Sequence, residues 1–355
     1  TKIIADSTKI EDALLLIPDI SGFTNFVSDT EIIHGVHIIA ELLEAIIESN
    51  SMGLQIAEIE GDAVFFYRIG EKPSLKILYE QCRKMYLAFH NRVQLYQRDR
   101  ICDCGSCSGM HNLKLKFVSH YGRVVERVIF NHFQLMGADV TRVHKLLKNN
   151  IDSDEYLLFT ENSVIKNEQD DIPEWFEVIT ESMNYQGMGV IGFNYALLNP
   201  LHKEIPILSP RKKVELIKKP LVFSMLFNTS IEKLYSIITD TGRKAEWMQG
   251  LKKVKFRENR IKRVGLRHDC VLPMNVLHFE SVENTIEQEE MVYTEYAEDS
   301  GLLPAFYQRF VLKKITENQG NLRVEIHYKG SFLQVTMLRL SMNNVIKASL
   351  KKLKK

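Results

Sequence analysis

Asp19 and Asp62 are the residues whose types and settings best suit chemistry. Asp19 lies in Ile17-Pro18-Asp19-Ile20-Ser21-Gly22-Phe23-Thr24, directly after the apolar run Leu14-Leu15-Leu16-Ile17. Asp62 closes Glu58-Ile59-Glu60-Gly61-Asp62, after the run Leu54-Gln55-Ile56-Ala57-Glu58-Ile59. Both runs read as buried strands. Aspartates ending two neighbouring strands can hold a divalent cation between them. Hard oxygen ligands suit Mg²⁺ or Mn²⁺, with substrate phosphates completing the shell. A single Asp beside Gly is ordinarily a turn, because both residues favour turns. The pair, with a helix between its members, is the more specific signal.

A second crowd of ligand types is Cys102, Cys104, Cys107 and His111. The chain has five cysteines, and an odd count in a chain read as lacking a secretory signal argues against a disulfide framework. Three thiols and an imidazole suit a structural Zn²⁺. The Cys-x-Cys spacing is tighter than in most zinc knuckles, so a metal clip and a free-thiol loop both stay open. His268-Asp269-Cys270 suggests a nucleophile, but on a strand His268 and Cys270 share one face and Asp269 takes the other. A packed strand is the favoured reading there.

The elements that must position the aspartates follow from periodicity. Apolar residues at Ile32, Val36, Ile39, Leu43, Ile46 and Ile47 give an amphipathic helix over 31–50, capped by Asp29 or Thr30. The segments 54–59 and 63–67 form a hairpin with Asp62 at its tip. A helix is expected over 73–98, strands over 113–118 and 120–125, and a helix from Gly137 to Leu147. This order suggests an α+β, ferredoxin-like sheet with helices on one face. The prolines 200, 206, 210 and 220 mark a linker. Beyond it come a strand, a helix, six further strands and a long helix over 331–350 carrying Leu333, Met337, Leu340, Val345 and Leu350. A curved antiparallel sheet on a long helix normally encloses an apolar cavity.

Residues 1–200 resemble the class III nucleotidyl cyclase catalytic domain. The Asp19 and Asp62 segments look like its two metal-aspartate motifs. His120-Tyr121-Gly122-Arg123-Val124-Val125 resembles the strand pair that follows them, and Leu135-Met136-Gly137-Ala138-Asp139-Val140-Thr141 resembles the start of the next helix. The resemblance implies that Asp19 and Asp62 hold Mg²⁺ or Mn²⁺, which activates a ribose hydroxyl and binds a nucleoside triphosphate. It implies that backbone amides around Gly22, Phe23 and Thr24 cradle phosphate oxygens. Glu58 falls at the purine-selecting position, where a carboxylate can accept from guanine N1 and N2. Gln134, at the partner position, favours neither base.

Other positions depart from the family. Thr141 stands where the family has a transition-state Asn, Lys145 near its Arg, and Met188 where a triphosphate lysine is expected. Lysine keeps the charge of arginine but loses its planar fork. Charge stabilisation is usually the largest catalytic contribution, so the resemblance implies an intact metal half and a degraded charge-stabilising half. It also implies a head-to-tail homodimer.

Residues 220–355 resemble the START/Bet v 1-like, polyketide-cyclase-type superfamily, a helix-grip fold that binds apolar molecules or lipids. Asp240-Thr241-Gly242-Arg243-Lys244-Ala245-Glu246-Trp247, the strands after it and the final helix carry this likeness. The expected division is thus 1–200, a linker over 201–219, and 220–355. Three functions stay open: a weak cyclase regulated by an apolar ligand, an inactive dimeric cyclase scaffold serving as a small-molecule sensor, and an enzyme acting in the second cavity.

The whole chain agrees with two dissimilar parts. Among its 355 residues the formal net charge is +1. Residues 1–200 hold 18 basic and 28 acidic side chains, whereas residues 201–355 hold 28 and 17. So large a change of sign argues for two units with different roles. The apolar and charged fractions are those of a globular protein, and no apolar run reaches the ~18–20 residues of a membrane span. A cytoplasmic protein without a nucleic-acid partner is the expectation.

Overall fold

The computed structural model describes residues 9–22, 32–101, 109–165, 171–211, 213–256, 263–273, 275–300 and 303–354. The chain divides into two units: Thr1–Gln97 with Cys104–Leu208, and Arg98–Asp103 with Ser209–Lys355. Both are α+β. Among the described residues no helix is long and apolar enough to cross a membrane.

The first unit runs β1 (Ile10–Ser21), α1 (Ile32–Glu48), β2 (Gln55–Glu60), β3 (Ala63–Ile69), α2 (Leu75–Asp99), β4 (Lys114–Ile129), β5 (His132–Met136), α3 (Ala138–Leu146), β6 (Tyr156–Phe159), β7 (Ile179–Tyr185) and β8 (Gly189–Leu197). Its mixed sheet has the order β2-β3-β1-β4-β6-β8-β7, with β5 folded back on β4. Strand β1 is antiparallel to both β3 and β4, while β4 and β6 are parallel. The β2-β3-β1-β4 part is the split β-α-β arrangement expected from the element order.

The leucine run is continuous because β1 is buried on both faces. Ala13, Leu15 and Ile17 pack with Phe65 of β3 and with Val143 and Leu146 of α3. Leu14 and Leu16 are equally buried on the opposite face.

Two strands were expected around Gly122, yet β4 is one 16-residue strand. Gly122 is not a breaker. A Cβ there would lie 2.3 Å from Asp139 Cγ, so the glycine admits the Asp139 carboxylate against the strand. The expected linker also begins later than residue 201. Residues Asn199–Glu204 form a 3-10 helix with Pro200 in its first turn and Leu201 fully buried. Proline opens a helix readily because its missing N–H would have no helical partner there.

The second unit runs β9 (Leu221–Phe227), α4 (Ile231–Thr239), α5 (Lys244–Trp247), β10 (Lys253–Lys255), β11 (Arg267–Val271), β12 (Val276–Ile286), β13 (Glu290–Ala297), β14 (Phe306–Thr316), β15 (Gln319–Tyr328) and α6 (Phe332–Leu353). Its seven strands pair antiparallel in the order β10-β11-β12-β13-β14-β15-β9. Helix α6 starts at a capping box between Ser331 and Gln334.

The face that α6 buries is Leu338, Met342, Ile346 and Leu350, four residues apart. These join Trp247, Phe279, Phe306 and Phe310 in one core. Leu333, Met337 and Leu340, expected on the apolar stripe, are exposed. The helix carries apolar residues on more than one side, so composition did not identify the face that packs.

Candidate functional site

Asp19 continues the alternation Ala13, Leu15, Ile17 along β1 and emerges on the same side of the sheet, which α3 also covers. It pairs across with Ala63 of β3 and with Lys116 of β4. The β2–β3 connection is the two-residue turn Gly61-Asp62, and Gly61 takes the positive φ of 65° that this turn requires. The Ile20 amide donates to the Asp62 carbonyl at 3.1 Å, so the turn is tied to the strand residue after Asp19.

The electrostatics follow from that register. Partial burial raises the Asp62 carboxyl above its usual range, and the neighbouring negative charge of Asp19 raises it further. Lys116 Nζ lies 3.3 Å from Asp19 Oδ2. Burial works against the Lys116 charge, but Asp19, with Tyr156 and Asp154, more than restores it. Tyr156 on β6 also feels Lys116 and Asp19, while its hydroxyl accepts from Asn149 Nδ2 at 2.8 Å. Two carboxylates therefore share one ammonium. The remaining negative charge fits a divalent cation, whose binding would relieve the repulsion that raises Asp62. Asp19 and Asp62 would be its ligands.

The structure distributes the other expected site residues over several elements. Gly22 follows β1 and is exposed. Phe23 and Thr24 lie outside the described residues, as do Cys102, Cys104 and Cys107. His111 is exposed in a short 3-10 helix, Met110–Asn112. Glu58 on β2 and Gln134 on β5 are both exposed, and their strands approach one another. Tyr67 knits this corner, its hydroxyl lying 2.8 Å from both Gln55 Oε1 and Glu126 Oε1 and its ring stacking on Phe133.

Thr141 and Lys145 lie on α3, which reaches the hairpin through His144. That ring is 3.5 Å from Glu60 and edge-on to Phe65. Thr141 is exposed. The Lys145 ammonium donates to the Gln186 carbonyl in the β7–β8 turn. Met188, in the same turn, packs against the buried cluster beneath α3. Lys145 is thus directed at this turn.

Sequence reasoning missed Lys116 and the His120–Asp139–Arg142 group. His120 Nδ1 lies 2.7 Å from Thr160 Oγ1, its Nε2 donates to Asp139 Oδ1 at 3.1 Å, and Arg142 donates to Asp139 at 2.6 Å. Burial lowers the His120 pKa despite the nearby carboxylate. His120 and Arg142 line an open polar groove of about 630 Å³ with Thr160, Glu181, Met188 and Gly192. The alternation Lys116, Val118, His120 was legible, but its meaning depended on β4 pairing with β1.

In the second unit, His268 and Cys270 face inward and Asp269 bonds His278 at 2.7 Å, as the strand alternation predicts. The buried Lys244 reaches Glu295 at 2.5 Å and His268 at 3.0 Å. Tyr293 donates to Glu295 at 3.0 Å. Burial, followed by the Lys244 charge, pushes His268 down to about 4. Burial pushes the Cys270 thiol up, so it stays protonated at neutral pH and is a poor nucleophile.

A family model described as "Protein of unknown function (DUF2652)" matches residues 39–156. An uncharacterized protein of Mycobacterium tuberculosis is 38% identical over 122 residues, which span 34% of this chain and 57% of that protein. The match thus covers little more than half the length of that relative. Among solved structures, the guanylate cyclase domain of RhGC from Catenaria anguillulae in complex with GTP is 15% identical. It aligns with 53% of this chain and 97% of its own at a TM-score of 0.37. The adenylyl cyclase CyaB from P. aeruginosa is 11% identical over 54% of this chain and 95% of its own, with a TM-score of 0.36.

Proposed function

We propose that the first unit is a divergent nucleotidyl cyclase-like domain that binds a nucleoside triphosphate through Mg²⁺ or Mn²⁺ on Asp19 and Asp62. The observation that carries this reading is the convergence of the two carboxylates, with Asp62 raised by burial and by Asp19. A divalent ion there would neutralise the pair and bind phosphate oxygens. The chain's own part is to hold the carboxylates in register through β1, β3 and the Ile20–Asp62 backbone bond. Glu58 makes GTP the favoured nucleotide. A homodimer belongs to this reading, as does a second unit that takes an apolar small molecule or lipid and regulates the first.

Binding without turnover is the second reading, and the placement of Lys145 and Met188 favours it. The Lys145 ammonium is engaged by the Gln186 carbonyl, and Met188 supplies no charge. Fluorescent ATP and GTP titrated with Mn²⁺ should bind the full chain, and the binding should disappear in Asp19→Asn and in Asp62→Asn. Binding that needs no metal, or that survives both substitutions, overturns the proposal. A 3′,5′-cyclic product from any of the four nucleoside triphosphates separates the cyclase from the scaffold. Light scattering across a concentration series tests the dimer.

A further inference from the structure

Away from the aspartates, three side chains from three elements of the first unit converge: His90 of α2, Glu155 just before β6, and His202 of the 3-10 helix 199–204. One ligand atom from each lies within 4.8 Å of the others. His90 Nε2 is 2.9 Å from Glu155 Oε1, and His202 Nε2 is 3.1 Å from Glu155 Oε2. The two imidazole centres are 4.8 Å apart. Tetrahedral zinc ligands at about 2.1 Å from the metal stand roughly 3.4 Å apart. Small side-chain adjustments would therefore admit an ion.

We propose that His90, Glu155 and His202 form a zinc site that fastens the 3-10 helix 199–204 to α2 and β6. It goes beyond the nucleotide reading and shares no residue with it. Two imidazoles and one carboxylate are a donor set suited to Zn²⁺, with a fourth position left for water.

Three further observations support the assignment. His90 is 5% exposed, and its Nε2 has no well-directed hydrogen bond although Glu155 is close. A buried polar nitrogen in that state normally has an explanation, and ligation of a metal ion would supply one. The carboxylate is held from behind, with Tyr86 donating to Oε1 at 2.8 Å and Asn199 to Oε2 at 3.3 Å. Such outer bonds orient metal ligands. Finally, the His202 side chain is 39% exposed, giving an ion a route in.

The full chain carrying Cys102→Ser, Cys104→Ser and Cys107→Ser, which removes the other zinc-ligand crowd, should be stripped with chelator and titrated without nucleotide. Calorimetry with Zn²⁺ should show one equivalent that disappears in His202→Ala, with affinity reduced at least ~100-fold. Co²⁺ should give a visible spectrum of nitrogen and oxygen ligation in the parent and lose it in the variant. Zn²⁺ should raise the parent's melting temperature and leave that of His202→Ala unchanged. His202 is partly exposed, so this variant should fold, which circular dichroism would verify. Absence of that equivalent in the parent, or its survival in both His202→Ala and His90→Gln, overturns the site.

Discussion

Lys116 decides how the aspartate pair behaves before any ligand arrives. Its ammonium lies 3.3 Å from Asp19 and opposes the charge that a divalent ion would meet. Lys116→Gln should therefore lower the melting temperature in chelator, because two partly buried carboxylates then repel without a counter-charge. The same change should tighten Mn²⁺ binding on the order of tenfold, so that Mn²⁺ recovers the lost melting temperature. Unchanged Mn²⁺ affinity would mean that the carboxylates do not ligate the ion.

His268 supports a second prediction at this scale. Its folded value of about 4 lies below the usual 6.5, so the unfolded chain binds more protons between those values. Stability then rises with pH across that window and is lost as pH falls from 6.5 toward 4, by up to about 3 kcal/mol. Urea unfolding followed by Trp247 fluorescence should show this slope in the parent and a shallower one in His268→Gln. Parallel slopes would remove His268 as the cause.

At the scale of elements, the contact between α3 and β4 is set by Gly122 and Asp139. The Asp139 carboxylate occupies the space where a Gly122 Cβ would lie, and it also accepts from Arg142 and from the Arg123 amide at 2.8 Å. Gly122→Ala should displace that carboxylate, break its bonds and destabilise the protein by about 2–4 kcal/mol. Gly192→Ala is the control: its nearest neighbour to an added Cβ is 3.9 Å away. Equal melting temperatures for the two variants would contradict this account.

The same glycine explains why β4 was read as two strands. A glycine inside a strand pattern signals either a break or a close approach, and only the tertiary partner distinguishes them. The helices and most strands were legible because each buries one periodic face. In α6 that signal failed, since exposed Phe332, Leu333 and Leu340 are as apolar as the buried Leu338–Met342–Ile346–Leu350 run. The Asp19 and Asp62 segments were legible as strand ends. The Glu155 cluster was not, because its ligands are 65 and 47 residues apart along the chain and no local pattern joins them.

At the scale of the molecule, prolines and the change in charge revealed two units but not the path between them. The second unit takes in Arg98–Asp103 as well as the C-terminal half. Asp99 accepts from Arg211 at 2.7 Å, and its carbonyl accepts from the Val264 amide at 2.8 Å. The Arg100 carbonyl accepts from Asn284 at 2.8 Å. Ile101 is 3% exposed and belongs to the core with Trp247 and Phe279. In sequence these residues merely end a helix before a cysteine-rich loop, so nothing local assigns them to a core formed more than a hundred residues later.

The assignment has a direct test, because each unit carries one of the two tryptophans, Trp175 in the first and Trp247 in the second. Ile101→Ala removes buried aliphatic volume and should destabilise the second unit by about 2–5 kcal/mol. Single-tryptophan versions, Trp175→Phe and Trp247→Phe, report the units separately. The Trp247 transition should move to lower urea in Ile101→Ala, and the Trp175 transition should move less. A larger shift at Trp175 would place Ile101 in the first core instead.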